Sequence, residues 1–289
     1  MNDSLVNRIA RAVLYEGYIL YPYRPSALKN RQRFNFGVLA PQAYSEAQRG
    51  AESWTMQTEC LVQGAEEATV SVTARFLHLR EAAGSQWQSW QEAVEREVKA
   101  EHLKPGELAA QPQHRPFSFP ATSEQAAVSG AMEISATRIA ERLHRLTVRL
   151  FNLTPFANAN QRPRDEALRQ SMLSTHTILS VQRGEFISLL EPPTELSEAA
   201  AACHNAGTWP VLTGEEGERD CLLSSPIILY DYPQIAPESA GDFFDGAEID
   251  EMLALRVLTL TDEESLRCAA ATNARGSFSN APSRCRLNK

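Results

Sequence analysis

The run Thr55-Met56-Gln57-Thr58-Glu59-Cys60-Leu61-Val62, followed after a short interval by Thr69-Val70-Ser71-Val72-Thr73-Ala74-Arg75-Phe76-Leu77-His78-Leu79, is rich in threonine, valine and phenylalanine. In its second half Val70, Val72, Ala74 and Phe76 alternate with Thr69, Ser71, Thr73 and Arg75. Side chains on a strand point to opposite faces in turn, so this alternation marks a strand with one buried face. Gly64-Ala65-Glu66-Glu67 between the halves reads as the turn of a hairpin.

Similar signals recur downstream. Residues 133–152 read as two strands, because Leu146-Thr147-Val148-Arg149-Leu150-Phe151-Asn152 alternates cleanly before Thr154-Pro155. Residues 165–173 look helical. Thr175 to Gln182 and Glu185 to Leu190 flank Arg183-Gly184 as a further strand pair, stopped by Pro192-Pro193. Phe34 to Leu39 reads as a strand, and Trp87 and Trp90 with Ala93, Val94 and Val98 suit a short helix or an irregular edge. The stretch 103–131, punctuated by Pro105, Pro112, Pro116 and Pro120, reads as loop with one strand at Phe117 to Phe119. Many strands at short spacing imply an α+β fold with an antiparallel, sandwich-like β core over residues 34–190, carrying helical insertions and C-terminal helices.

Around that core the expected parts are simpler. Residues 3–15 place Leu5, Ile9, Ala12 and Val13 on one helical face behind Asp3 or Ser4 as a cap. With the segment that follows, this makes an N-terminal unit over 1–33. Residues 191–267 supply a strand at 222–230, a loop at 233–241 and two capped helices. Asp245-Gly246-Ala247-Glu248 opens the first helix and Thr261-Asp262-Glu263-Glu264 the second. Residues 268–289 read as a loose tail. No internal repeat is present.

Composition limits what the protein does. At 289 residues with 43% hydrophobic side chains, the chain is long enough to bury a sizeable core, so disorder is not expected. Its formal charge of 28 − 36 = −8 disfavours nonspecific binding to nucleic acid or to an anionic membrane. The first residues lack the apolar core of a signal peptide, and no apolar run approaches the roughly 18 residues needed to cross a bilayer. A cytoplasmic protein with no direct membrane insertion is expected. The five cysteines contain no Cys-x-x-Cys pair, which points to reduced thiols rather than a disulfide framework or structural zinc.

Motifs of catalysis are sparse. Asp242, Asp245 and Glu248, with Asp250 and Glu251, are weak metal candidates, because acidic residues in a first helical turn are accounted for by capping and the helix dipole. Cys203-His204 puts thiol and imidazole on adjacent residues, which rarely meet in the geometry of a nucleophile and its base. The remaining histidines, at 78, 102, 114, 144 and 176, show no ligand spacing, and neither a Gly-x-Ser-x-Gly elbow nor a glycine-rich phosphate loop occurs. No cofactor and no catalytic residue is expected.

Residues 14–37 hold the densest contact chemistry: Tyr15, Tyr18, Tyr21 and Tyr23 interleave with Arg24, Lys29, Arg31 and Arg33. Pro22 and Pro25 bar a regular helix there. Two readings stay open. Tyr15, Tyr18 and Leu20 pack beneath the sheet with the cations solvated, or Tyr18, Tyr21, Tyr23, Arg24, Lys29, Arg31 and Arg33 form a docking surface for a partner that bears carboxylates.

The run Leu14 to Leu39, with Leu223 to Ser239 (Leu-Ser-Ser-Pro-Ile-Ile-Leu-Tyr-Asp-Tyr-Pro-Gln-Ile-Ala-Pro-Glu-Ser) and Phe244 to Leu253, resembles uncharacterised proteins encoded beside nickel-iron hydrogenase genes in soil bacteria. The resemblance spans residues 5–265, and the tail after Arg267 departs from the family's charged helical continuation. It implies a non-catalytic accessory or assembly protein that binds a hydrogenase subunit or a maturation partner. It transfers no active-site residue. The alternative is a small-molecule-binding protein or hydrolase whose site has no motif, which predicts convergent polar groups in a concavity.

Overall fold

In a computed structural model, residues 6–12, 14, 36–82 and 90–234 are described. All of them belong to the first of two units, Met1–Ile235 and Ala236–Lys289. Eight strands make one antiparallel sheet: β1 (Thr55–Ala82), β2 (Trp90–Leu103), β3 (Gln113–Phe119), β4 (Val128–Ala140), β5 (Leu143–Asn152), β6 (Leu173–Ile187), β7 (Trp209–Leu212) and β8 (Cys221–Ser225). Their order is β3-β4-β5-β1-β6-β8-β7, with β2 paired to β1. The expected antiparallel β character is present, and the strands join into a single open sheet where a sandwich calls for two.

The first correction concerns β1. The two halves of the opening sequence are not arms of a hairpin but one strand of 28 residues. Its first half pairs with β5, from Thr55 opposite Phe151 to Gln63 opposite Leu143. Its second half pairs with β2, from Val70 opposite Leu103 to Ala82 opposite Trp90. Meanwhile β6 follows the other edge, from Leu61 opposite Ile187 to Leu77 opposite Leu173. The sheet therefore forks along β1, with β5 and β2 as successive neighbours on one edge.

The second expected hairpin, at Arg183-Gly184, fails for the same reason. β6 runs unbroken through it, and the two supposed turns face each other across one bulge. Gly64 lies opposite Gly184 and Thr69 opposite Gln182, so four residues of β1 oppose Arg183 alone, whose φ is 57°. The glycines serve close backbone approach. A Cβ on Gly184 would lie 2.7 Å from the Gln63 carbonyl oxygen, and one on Gly64 would lie 3.2 Å from the Gly184 Cα.

β2 replaces the helix or irregular edge expected near Trp90. Glu95, Glu97 and Lys99 are exposed while Val98 is half-buried and Ala100 buried, the period of a strand. Glu97 sits opposite Arg75 in register and accepts a hydrogen bond of 2.7 Å from its Nε. The strands expected within 133–152 are present as β4 and β5. The strand at Phe117 to Phe119 belongs to the longer β3, and the preceding loop contains a helix, α3 (Pro105–Ala110). Of the strand expected from Phe34 to Leu39, the described residues 36–39 hold one bridge, between Leu39 and Met172. The strand expected over 222–230 ends at Ser225 before Pro226, and β7 was not legible at all.

The apolar face of β1, with Met56, Cys60, Val62, Val70, Val72, Ala74 and Phe76, lies in the main core. Phe76 also places its ring 6.1 Å from Phe117 and 5.8 Å from Phe119 of β3. Because β5 and β4 separate β3 from β1 within the sheet, these contacts require that wing to curl back over the second half of β1. Buried Leu108 of α3 joins the same cluster.

Helices occupy the margins. The expected N-terminal helix is present as α1 over residues 6–12, with Val6, Ile9, Ala10 and Leu14 buried. Ile9 and Ala10 pack with Leu223, and Leu14 packs with Val38, Leu77 and Leu79. Two further short helices, α2 (Gln42–Ala47) and α4 (Arg164–Leu168), meet where Tyr44 stands edge-on to Phe156 at 5.8 Å, beside Ala167. Buried Asn152 ties this region to the sheet by donating to the carbonyls of Leu39 (2.7 Å) and Gln170 (2.9 Å). The last short helix among the described residues, α5 (Ser197–Ala201), precedes β7. The helices expected after Asp245 and Thr261, and the tail, lie outside the described residues.

If the three phenylalanine rings hold the curled wing down, Phe76→Ala is expected to cost about 3–5 kcal/mol, as for large aromatic truncations in a packed core. Urea unfolding followed by circular dichroism measures this. A loss below about 1 kcal/mol, the range of surface substitutions, removes the curl from the stability account.

Candidate functional site

All seven residues proposed for docking, Tyr18, Tyr21, Tyr23, Arg24, Lys29, Arg31 and Arg33, lie outside the described residues, as do Asp242, Asp245 and Glu248. Among the described residues no group of three or more His, Cys, Asp or Glu side chains is placed to hold a metal.

The histidines do not converge. His102 and His114 are exposed, while His78 and His176 are wholly buried. His176 donates from Nδ1 to the Ser174 carbonyl at 3.0 Å. Burial lowers its pKa to about 4, with nearby Arg75 adding to the shift and the Ser174 carbonyl opposing it. Burial and the Arg96 guanidinium likewise hold His78 at about 4. Both rings are neutral at pH 7.

Cys203 and His204 turn to different tasks. The Cys203 thiol contacts the Ala199 carbonyl at 3.6 Å, whereas the His204 backbone N–H donates to Glu59 Oε2 at 2.8 Å. Burial raises the Cys203 pKa to about 11, with the Glu59 carboxylate raising it further and Arg145 lowering it. A thiol held protonated is a weak nucleophile and a poor ligand. Burial also pushes the Cys60 thiol up.

Glu59 is the polar fastening of this region. Its carboxylate also accepts from the Thr147 hydroxyl at 3.1 Å and lies 3.7 Å from Arg145 Nε. The Glu59 N–H donates to Asn205 Oδ1 at 2.8 Å, and Arg145 Nη1 donates to the Ala202 carbonyl at 3.0 Å. These bonds clamp the chain after α5 onto β1 and β5. Nothing in the sequence before folding pairs residue 59 with residue 204.

The surface signal lies at the far end of the sheet. Among the described residues β7 pairs only with β8, with Trp209 opposite Ser225 and Leu212 opposite Leu222. After Ser225 the chain continues as a strap over residues 226–232 that meets β7 at Leu212. It is fixed where the Tyr232 N–H donates to the Leu212 carbonyl (2.8 Å) and the Leu212 N–H donates to Asp231 Oδ1 (2.7 Å). Asp231 Oδ2 also accepts from the Ser188 hydroxyl at 2.5 Å. Ile227 and Leu229 turn inward toward Ile9 and Leu223, while Ile228 and Tyr230 point out, 72% and 86% exposed. Trp209 of β7 is 44% exposed as well. Residues 226–230 belong to the run expected as strand over 222–230, and the alternation of 227 and 229 with 228 and 230 persists although β8 ends at Ser225.

The buried histidines have a consequence for acid stability. Each binds its proton below about pH 6.5 when unfolded but only near pH 4 when folded. Their contribution is therefore complete above pH 6.5 and falls as pH drops through that window, by up to about 3 kcal/mol each at about 1.4 kcal/mol per pH unit. Urea midpoints from pH 7.5 to 4.5 should fall, and His176→Gln should flatten the slope; an unchanged slope removes His176 from the account. Compared with known proteins, the chain matches no family model and no curated relative.

Proposed function

We propose that the chain is a non-catalytic accessory protein whose sheet presents a docking edge to a protein partner. The observation that carries this reading is the fixed strap, which holds Ile228 and Tyr230 largely exposed, with Trp209 of β7 exposed as well. Large aromatic side chains held in a defined geometry are the usual anchors of protein interfaces, since they bury much area at little entropic cost. The strap occupies both main-chain groups of Leu212, so the partner is read through side chains rather than by adding a strand. A hydrolase mechanism has less support, because the buried histidines and thiols described above are neutral and separate.

The resemblance of residues 5–265 makes a nickel-iron hydrogenase subunit or a maturation partner the expected occupant, in the cytoplasm. No nucleic acid is expected. No helix among the described residues is long and apolar enough to cross a membrane. The segment 14–37, with Tyr18, Tyr21, Tyr23, Arg24, Lys29, Arg31 and Arg33, is a second docking arm in this reading, and the helices expected after Asp245 and Thr261 belong to the same proposal.

Tagged protein co-expressed with the hydrogenase subunits should copurify with one of them. Trp209→Ala and Tyr230→Ala should each weaken capture about 30-fold, the effect of losing a hot-spot aromatic worth about 2 kcal/mol, without lowering the melting temperature. Arg24→Ala with Arg31→Ala tests the second arm. Capture of no hydrogenase component rejects the partner, and undiminished capture by the Trp209→Ala, Tyr230→Ala double variant rejects the edge.

A further inference from the structure

The far end of the strap is held by a hydrogen-bond relay that reaches 43 residues back along the chain, to Ser188 just after β6. The Ser188 hydroxyl oxygen accepts from the backbone N–H groups of Leu190 (3.1 Å) and Glu191 (2.9 Å). A serine hydroxyl has two acceptor lone pairs and one donor, so these bonds fill its acceptor capacity and leave only its proton. That proton goes to Asp231 Oδ2 at 2.5 Å, while Asp231 Oδ1 accepts from the Leu212 N–H at 2.7 Å. Each bond of the relay therefore has one direction. We infer that Ser188 is the positioning residue of the docking edge: by aiming its one proton at Asp231 it locks the strap onto Leu212 and fixes where Ile228 and Tyr230 are presented. The inference rests on the docking reading above.

Apolar packing secures only the nearer part of the strap. Ile227 and Leu229 sit in the cluster with Ile9 and Leu223. Tyr230 follows them, 86% exposed, and the next fixed point is Asp231. Beyond it Tyr232 packs half-buried against the main core with a φ of 57°. A residue with a large side chain adopts this left-handed backbone at a cost and keeps it only where its surroundings hold it. The Tyr232 N–H on the Leu212 carbonyl and the Asp231 carboxylate on the Leu212 N–H supply that hold. Opening the relay lets the strained residue relax, so the seated strap is the state that Ser188 maintains.

The relay makes a sharp demand at position 231. Both groups facing the side chain are donors, so it must accept at both of its ends. Asparagine has nearly the same shape but turns its NH2 toward one of them. It meets either the Leu212 N–H or a Ser188 oxygen whose lone pairs Leu190 and Glu191 already occupy. The near-isostere therefore fails here. At position 188 the demand is for a hydroxyl, which threonine meets and alanine does not.

The test compares the purified chain with Ser188→Ala, Ser188→Thr and Asp231→Asn, by amide hydrogen exchange and by capture of co-expressed hydrogenase subunits. Ser188→Ala and Asp231→Asn should each speed exchange of the Leu212 and Tyr232 amides at least about tenfold, as expected for losing a hydrogen bond to a charged group, and weaken capture by a similar factor. The amides of β1 should keep their protection, which separates this effect from general unfolding. Ser188→Thr should match the unsubstituted chain in both readouts. Leu212 and Tyr232 amides that stay protected in Ser188→Ala or Asp231→Asn overturn the relay, whether or not a partner is captured. Fast exchange with undiminished capture overturns the positioning role. No capture by the unsubstituted chain overturns the docking reading and the positioning role with it, and the exchange rates tell that outcome apart from failure of the relay.

Discussion

The register of β1 against β6 is the constraint on which the rest of the fold depends. One strand long enough to carry two successive neighbours on one edge, while a single partner runs along the other, fixes where the sheet forks. The fork in turn separates β2 from the β5–β4–β3 wing, so that the wing curls until Phe117 and Phe119 reach Phe76. The bulge at Gly64 and Gly184 is where this becomes possible, because a bulged strand bends and its twist increases. Replacing either glycine forces a Cβ into the opposing backbone.

Polar fastenings then decide which peripheral segments are held. Asn152, Glu59 and Asp231 each join parts of the chain far apart in sequence: Leu39 with Gln170, His204 with Thr147, and Leu212 with Ser188. A buried polar group left without a partner costs about 1–3 kcal/mol, so each site is held to one arrangement. Their common effect is to make loops as definite as strands. The strap inherits its shape from such a side chain, not from a helix or a sheet ladder.

Strand character was legible wherever one face was covered and the other wet. Val70 to Phe76 and Leu146 to Asn152 alternate for that reason, and Glu95, Glu97 and Lys99 carried the same signal beside two tryptophans that suggested a helix. Glycine was the misleading residue. Gly64 and Gly184 announce either a turn or a close approach, and only the partner strand distinguishes them. The fastening of His204 to Glu59 was not legible, because β1 and the segment after α5 are brought together by the fold rather than by any local pattern. Tyr230 was visible in the sequence but read as part of a strand that ends at Ser225.

The strap has one more consequence, for solubility. A short terminal strand with bare N–H and C=O groups is a template on which another copy's strand can grow, the starting point of fibrous assembly. By seating Asp231 and Tyr232 on Leu212, the protein blocks that growth with its own chain. The strap that exposes Tyr230 is thus also the place where this edge of the sheet is closed.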